Sequence, residues 1–335
     1  MNSLRRQRFL VKISISVRAC YRRRLWSQLI VCVFLLAAIG CRQSVADKSG
    51  DKQYSAQPRV IAISFALKSL TQELLDGICE VSMPNYAGQY PLHWYPRTEF
   101  IREMQRADLV ICNGGGAQEA PWLNTVTVSP SKLVETINNI QLSDFLVVDD
   151  APTHSHGPEG EHSHSGLIAS TWLNPRVARD QAEYVYRRLV QRFPEHAARI
   201  ELNRHQLIDK FKDLEARFAE IIDLRGKVVL SSEPTFKYLF KSLGVEDKHY
   251  FWSQEKGELE ASMWEEFDTT RPPAASVMFW PFPPPPAVQE GLRSRSISFV
   301  ALDAMIEKPK NETDYFSTMQ KNLALITASL SNDLK

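Results

Sequence analysis

Apolar positions along this chain fall into short uninterrupted runs separated by stretches with helical spacing, and the ordered pattern begins at Arg59. The stretch RVIAISFALKSLTQELL reads as a buried strand over Val60 to Phe65 followed by a helix, and GICEVSMP, ADLVICNGGG and SDFLVVDD read as further short apolar strands. A helix over Arg97 to Arg106 lies among them, and alternation of this kind predicts an α/β unit with a largely parallel sheet. After Trp172-Leu173-Asn174-Pro175 the pattern turns helical, first from Arg176 to Arg192 and then from Glu195 to Ile222. In the second stretch Leu202, Leu207, Ile208, Phe211, Leu214, Phe218 and Ile221 recur mostly at three- and four-residue steps, as an amphipathic helix requires. Its roughly 28 residues would make a rod about 40 Å long. Gly226 stops it, and KVVLSS opens a second α/β pattern with a helix over Pro234 to Leu243, strands over Ala275 to Trp280 and Ser296 to Leu302, and a closing helix over Tyr315 to Leu330. The fold class expected is α/β: two lobes, each with a mainly parallel sheet flanked by helices, joined by one long linking helix. A ligand site belongs in the cleft between the lobes, since ligands of such sheets bind outside the carboxyl ends of strands.

Two glycine- and proline-rich segments read as backbone features. Gly114-Gly115-Gly116 lacks the Lys-Ser/Thr of a P-loop and the spacing of a dinucleotide fingerprint, so it reads as a tight turn. Pro281-Phe282-Pro283-Pro284-Pro285-Pro286 reads as a stiff extended loop.

Ahead of Arg59 the picture changes. Seven arginines crowd the first two dozen positions (Arg5, Arg6, Arg8, Arg18, Arg22, Arg23 and Arg24), and the uncharged run LWSQLIVCVFLLAAIG follows. A basic region, a short apolar core and small residues before a cysteine form an export signal. Ala38-Ile39-Gly40-Cys41 resembles a lipobox, which would make Cys41 the lipid-bearing first residue of the mature chain, although Ala38 stands where leucine is usual. An uncleaved anchor helix and ordinary cleavage are the other readings, and all three place the remainder outside the cytoplasm. The expected division is a lipoprotein-type signal over 1–40, a polar tether over 41–57, a first lobe over 58–194, the linking helix within 195–224 and a second lobe over 225–335. Lysine plus arginine (40) balances aspartate plus glutamate (39), so no field demands a nucleic-acid partner. Cys79 and Cys112 remain in the mature chain, and the sequence leaves open whether they pair.

The least ordinary segment is THSHGPEGEHSHSG, residues 153–166, which holds four of the protein's eight histidines. Imidazoles at i and i+2, twice over, on a Gly/Pro loop can converge on one divalent cation, so His154, His156, His162 and His164 are candidate metal ligands. A loop of this composition can equally act as a low-affinity collector. His196, His205 and His249 fall outside the pattern and read as structural.

A more specific resemblance rests on an ordered series of segments. Tyr90-Pro91-Leu92-His93 with Trp94-Tyr95-Pro96, then IREMQRADLVICNGGG with Pro121-Trp122-Leu123, then Trp172-Leu173-Asn174-Pro175, then Ser232-Glu233-Pro234-Thr235-Phe236-Lys237-Tyr238-Leu239, then Phe299-Val300-Ala301-Leu302-Asp303 and Asp314-Tyr315-Phe316 with Met319 and Asn322 are similar to the zinc/manganese solute-binding lipoproteins of ABC importers. The similarity covers nearly all of residues 58–330. It implies His93 as first ligand, Glu233 as third and Asp303 as fourth. Two departures matter. Ser170 occupies the place of the family's second histidine, and Glu233 stands where zinc-binding members carry a third histidine, as in manganese-type members. The resemblance then implies that the missing nitrogen comes from the loop just upstream, with His164 or His162 closest in sequence.

The function so implied is capture of Zn2+ or Mn2+ by a monomeric receptor, lipid-anchored outside the cytoplasm, with the permease and ATPase of an ABC importer as partners. A metal-buffering or chaperone lipoprotein without its own permease is the rival reading. A metal-dependent hydrolase is disfavoured, because the chain has neither HExxH nor a Ser/His/Asp signature.

Overall fold

The computed structural model describes residues 57–86, 94–114, 120–140, 147–148, 153–155, 161–163, 166–221, 224–252, 258–308, 311 and 313–331. The first sheet holds four parallel strands, β1 (Val60–Ala62), β2 (Val81–Ser82), β3 (Leu109–Cys112) and β4 (Leu133–Glu135), in the order β2-β1-β3-β4. Two antiparallel pairs follow: β5 (Val147–Val148) with β8 (Gly166–Leu167), and β6 (Thr153–Ser155) with β7 (Glu161–Ser163). The second sheet contains β9 (Val228–Ser231), β10 (Glu246–His249), β11 (Val277–Trp280) and β12 (Ser298–Ala301), all parallel, in the order β10-β9-β11-β12. Each sheet therefore runs second, first, third, fourth, which puts a reversal of strand order between β1 and β3 and another between β9 and β11. Chains leave opposite faces at such a point and open a crevice at the carboxyl ends.

The apolar runs of β1, β3 and β11 are continuous because these strands are covered on both faces. Val60 and Ala62 face a central core while Ile61 and Ile63 face an outer one lined by Trp94, Met104 and Trp122. In the second sheet Val229 and Phe279 face the central core, whereas Leu230, Met278 and Trp280 face another outer core with Trp252 and Phe267. The central core does not stop at either lobe. It joins both sheets to Leu207, Phe211 and Leu214 of the linking helix and to Tyr315, Met319 and Leu323 of the closing helix. Cys79 lies in this central core and Cys112 in the outer core of the first lobe, and both are buried.

The linking helix is Ala197–Glu220, entered through a 3-10 turn at Pro194–His196. Its buried stripe is Ile200, Asn203, Leu207, Phe211, Leu214 and Phe218, so Leu202, assigned to the stripe by the apolar pattern, lies on the outer side and is 49% exposed. Asn203 takes the stripe position for a physical reason. Its Nδ2 donates to the carbonyls of Leu74 (3.1 Å) and Asp76 (2.9 Å), satisfying groups left open where the Phe65–Leu74 helix ends.

Several boundaries differ from the sequence reading. Phe65 begins a helix and does not extend β1. Val147–Val148 pairs in a short antiparallel ribbon, and the fourth strand of the first sheet is Leu133–Glu135, only three residues long and flanked by polar positions. β10 has the sequence EDKH, in which period-2 alternation of exposed and half-buried positions replaces the apolar run because the strand lies at a sheet edge. The last proline of the 281–286 run opens the Pro286–Ser294 helix, where its fixed φ suits the first turn. Gly114 has φ +80°, and a Cβ there would come within 2.8 Å of Ile137 Cγ2, so the turn after β3 requires glycine.

Because one core spans both lobes, they should unfold together. Phe211 is fully buried against the rings of Tyr315 and Phe316 (5.8 and 5.0 Å), and Phe211→Ala should cost about 3–5 kcal/mol. Native-state hydrogen exchange should show β1 and β9 losing protection by the same amount in this variant; loss in one sheet alone would show that the lobes are energetically separate.

Candidate metal centre

Of the candidate ligands, Glu233 and Asp303 have described side chains. Cys41, His93, His156 and His164 lie outside the described residues. His154 and His162 lie in β6 and β7, where the backbone register sets them directly opposite one another. Among the described residues no three His, Cys, Asp or Glu side chains form a metal-holding group.

Glu233 stands two residues beyond β9, at the reversal of strand order, in extended backbone (φ −155°, ψ 163°) just before a 3-10 turn over Pro234–Phe236. The Thr235 hydroxyl donates to its Oε1 at 2.7 Å. Asp303 stands two residues beyond β12. With β11 between them, the two strands are two spacings apart, about 9–10 Å. Both carboxylates therefore leave the same edge of the second sheet from separate strands, and a cation shared by them would be approached from two sides.

Asp303 is held on all sides. Its backbone N–H donates to Asn322 Oδ1 (3.0 Å), its carbonyl accepts from Asn322 Nδ2 (2.8 Å), and its Oδ1 accepts from the Met305 N–H (2.7 Å). That last bond closes a tight turn in which Met305, fully buried, takes the left-handed conformation at φ +55°. Such a conformation costs about 1–2 kcal/mol for a residue with a side chain, so the bonds around it hold the turn in place. Burial pushes the Asp303 carboxyl above its ordinary range, against the smaller lowering effects of the Met305 N–H and Lys321. Glu307, half-buried four positions on, is raised first by burial and then by the negative charge of Asp303. These carboxyls occupy surroundings that disfavour their charge.

The first lobe reaches both loops through three consecutive residues. Ser170 is buried, and its hydroxyl donates to the Thr235 carbonyl. Thr171 anchors the segment to its own lobe: its hydroxyl donates to Asn113 Oδ1 (2.7 Å), which also accepts from Gln181 Nε2 (2.7 Å), while Asn113 Nδ2 donates to the Ala169 carbonyl (2.7 Å). Trp172 Nε1 donates to the Ala304 carbonyl (2.9 Å), and the Tyr315 hydroxyl donates to the Trp172 carbonyl (2.8 Å). The loop after β12 is bonded again at the start of the Phe65–Leu74 helix, where the N–H groups of Phe65 and Ala66 donate to the carbonyls of Ile306 (3.0 Å) and Met305 (2.9 Å). Ser64, the residue before that helix, makes no side-chain cap. Sequence reasoning named Ser170 only as a missing ligand and did not find Asn113, Gln181, Thr235 or Glu307. Buried polar residues joined across 45 to 68 positions leave no local periodicity to read.

The chain is similar along most of its length to known proteins. A manganese ABC transporter substrate-binding lipoprotein of Streptococcus gordonii is 23% identical over 311 residues, which covers 89% of this chain and 97% of that protein. The crystal structure of the metal-dependent lipoprotein YcdH from Bacillus subtilis superposes with a TM-score of 0.64 at 17% identity, over 81% of this chain and 98% of the other. The Zn(II)-bound ZnuA-like domain of AdcA from Streptococcus pneumoniae gives 0.65 at 16% identity over 81% and 98%. FpvC from Pseudomonas aeruginosa in complex with Mn2+ gives 0.65 at 18% identity over 82% and 99%. These likenesses establish the two-lobed fold, and a profile match running from residue 60 to residue 329 establishes the lineage: the chain belongs to the ZnuA family, zinc-uptake complex component A periplasmic.

Proposed function

We propose that this protein is the extracytoplasmic receptor of an ABC importer, capturing a divalent transition metal between its two lobes and delivering it to a membrane permease driven by an ATPase. No reaction is catalysed, and the metal is cargo. The observation that carries the reading is the pair of carboxylates, Glu233 and Asp303, at the carboxyl edge of the second sheet, beside the first-lobe segment 170–172 that bonds both of their loops. His93 and one histidine of the 153–166 loop, His164 or His162, complete the set, with His154 and His156 as further donors for weaker capture. Hard carboxylate oxygens shift preference toward manganese, imidazole nitrogens toward zinc, and this chain combines them. Residues 1–40 act as an export signal, Cys41 carries the lipid, 41–57 tether a monomeric body to the membrane, and that body comprises 58–194, the linking helix within 195–224, and 225–335.

Metal that binds only the native state stabilises it by about 2.7 kcal/mol at a hundredfold excess over its Kd. Mn2+ or Zn2+ should therefore raise the unfolding temperature by several degrees, and Glu233→Ala or Asp303→Ala should remove most of that shift. A full shift in both variants would displace the site from this edge. Replacing His154, His156, His162 and His164 together by alanine should weaken the tight site, whereas unchanged tight binding would leave the loop a collector only.

Asp303 also gives a pH-dependent outcome in the absence of metal. Its raised carboxyl holds a proton more tightly in the native than in the unfolded state, so its contribution to stability is present below the ordinary carboxyl range, about 3.9, and is lost as pH rises through the raised value. Asp303→Asn keeps an acceptor for the Met305 N–H and carries no charge. With chelator present it should match or exceed the parent's stability at pH 7.5, and the difference should close toward pH 4. An Asn variant markedly less stable than the parent at pH 7.5 would show that the charge is compensated.

A further inference from the structure

We propose that Ser170 is a positioning residue for Glu233, acting through Thr235. The proposal rests on the reading of Glu233 as a ligand and deepens it. Ser170 stands where the resembling family carries a histidine ligand, and serine in its place makes a different contact: the hydroxyl donates to the Thr235 carbonyl from the opposite lobe. Thr235, buried at 8% exposure, in turn donates its own hydroxyl to Glu233 Oε1 at 2.7 Å. Pinning the carbonyl sets the rotation of residue 235 about the chain, and that rotation aims its hydroxyl at the carboxylate.

Ser170 is itself a fixed point. Its neighbours on both sides are bonded to Asn113 at the end of β3, Ala169 through its carbonyl and Thr171 through its hydroxyl, each at 2.7 Å. Gln181 Nε2 secures that site further by donating to both Asn113 Oδ1 and the Thr136 hydroxyl, each at 2.7 Å. The orientation of a second-lobe carboxylate is thus referred to the frame of the first lobe. A group that orients a ligand in this way governs affinity without touching the ion, and removing such groups costs about 10–100-fold in metal affinity.

Calorimetric titration of the full-length chain in detergent with Mn2+ alone, and separately with Zn2+ alone, tests this. Ser170→Ala and Thr235→Val should each weaken Mn2+ binding about tenfold. Thr235→Ser, which keeps the hydroxyl, should retain affinity within about twofold of the parent, a rescue that loss of packing alone would not produce. In a Glu233→Ala background, already weakened, Ser170→Ala should have no further effect. If Glu233→Ala binds metal as the parent does, the ligand assignment falls and this proposal falls with it. If Glu233→Ala loses affinity while Ser170→Ala and Thr235→Val keep it, or if Ser170→Ala weakens binding equally with and without Glu233, the positioning role is overturned and the ligand assignment stands.

Discussion

Buried backbone carbonyls must find donors, and in this molecule the loop that follows β12 finds them in the other lobe. Ala304, Met305 and Ile306 each accept from a first-lobe group: the Trp172 indole, the Ala66 N–H and the Phe65 N–H. The arrangement is reciprocal, since the first N–H groups of a helix lack partners within it and Ser64 supplies no side-chain cap. Leaving a buried group of this kind unpaired costs about 1–3 kcal/mol. Neither lobe satisfies its own polar backbone without the other, and the place of Asp303 follows from that requirement. With a central core passing through both sheets, wide hinge opening would break apolar and polar contacts together, so small local rearrangement is the motion this architecture permits.

The turn after β12 holds groups in unfavourable surroundings. Asp303 and Glu307 are carboxyls in surroundings that raise their proton affinity, and Met305 between them holds a backbone conformation that residues with side chains avoid. A strained turn carrying two carboxyls that resist ionisation persists because the bonds around it over-determine it. The serine at position 170 gives its hydroxyl to the backbone of the other lobe, at the Thr235 carbonyl.

Much of the architecture was legible because burial on both faces writes a plain signal. β3 and β11 are apolar throughout, β9 is apolar up to its closing serine, and the linking helix repeats at helical spacing. The elements that escaped are those in which tertiary context replaces periodicity. β10 is a polar edge strand, β4 is three residues long, and Asn203 occupies a core stripe only because the end of another helix lies against it. Glu233 and Asp303 were nominated from strand ends and family likeness, and the structure sets each two residues beyond a strand. The bonds that tie their loops to the first lobe were not legible, since Ser170 to Thr235 or Trp172 to Ala304 joins residues with no relation along the chain.

The closing helix begins with a bond from the Tyr315 N–H to the Ser69 hydroxyl, a separation of 246 positions. Contacts of that span are late events in folding, because the entropy of closing the chain is lost before any of them forms. The start of the Phe65–Leu74 helix stays unfinished until β12 and its loop are present, so synthesis from the N-terminus cannot leave a completed first lobe behind it. A chain so constructed remains open while it is being made, and it matures as a whole once its final segment arrives.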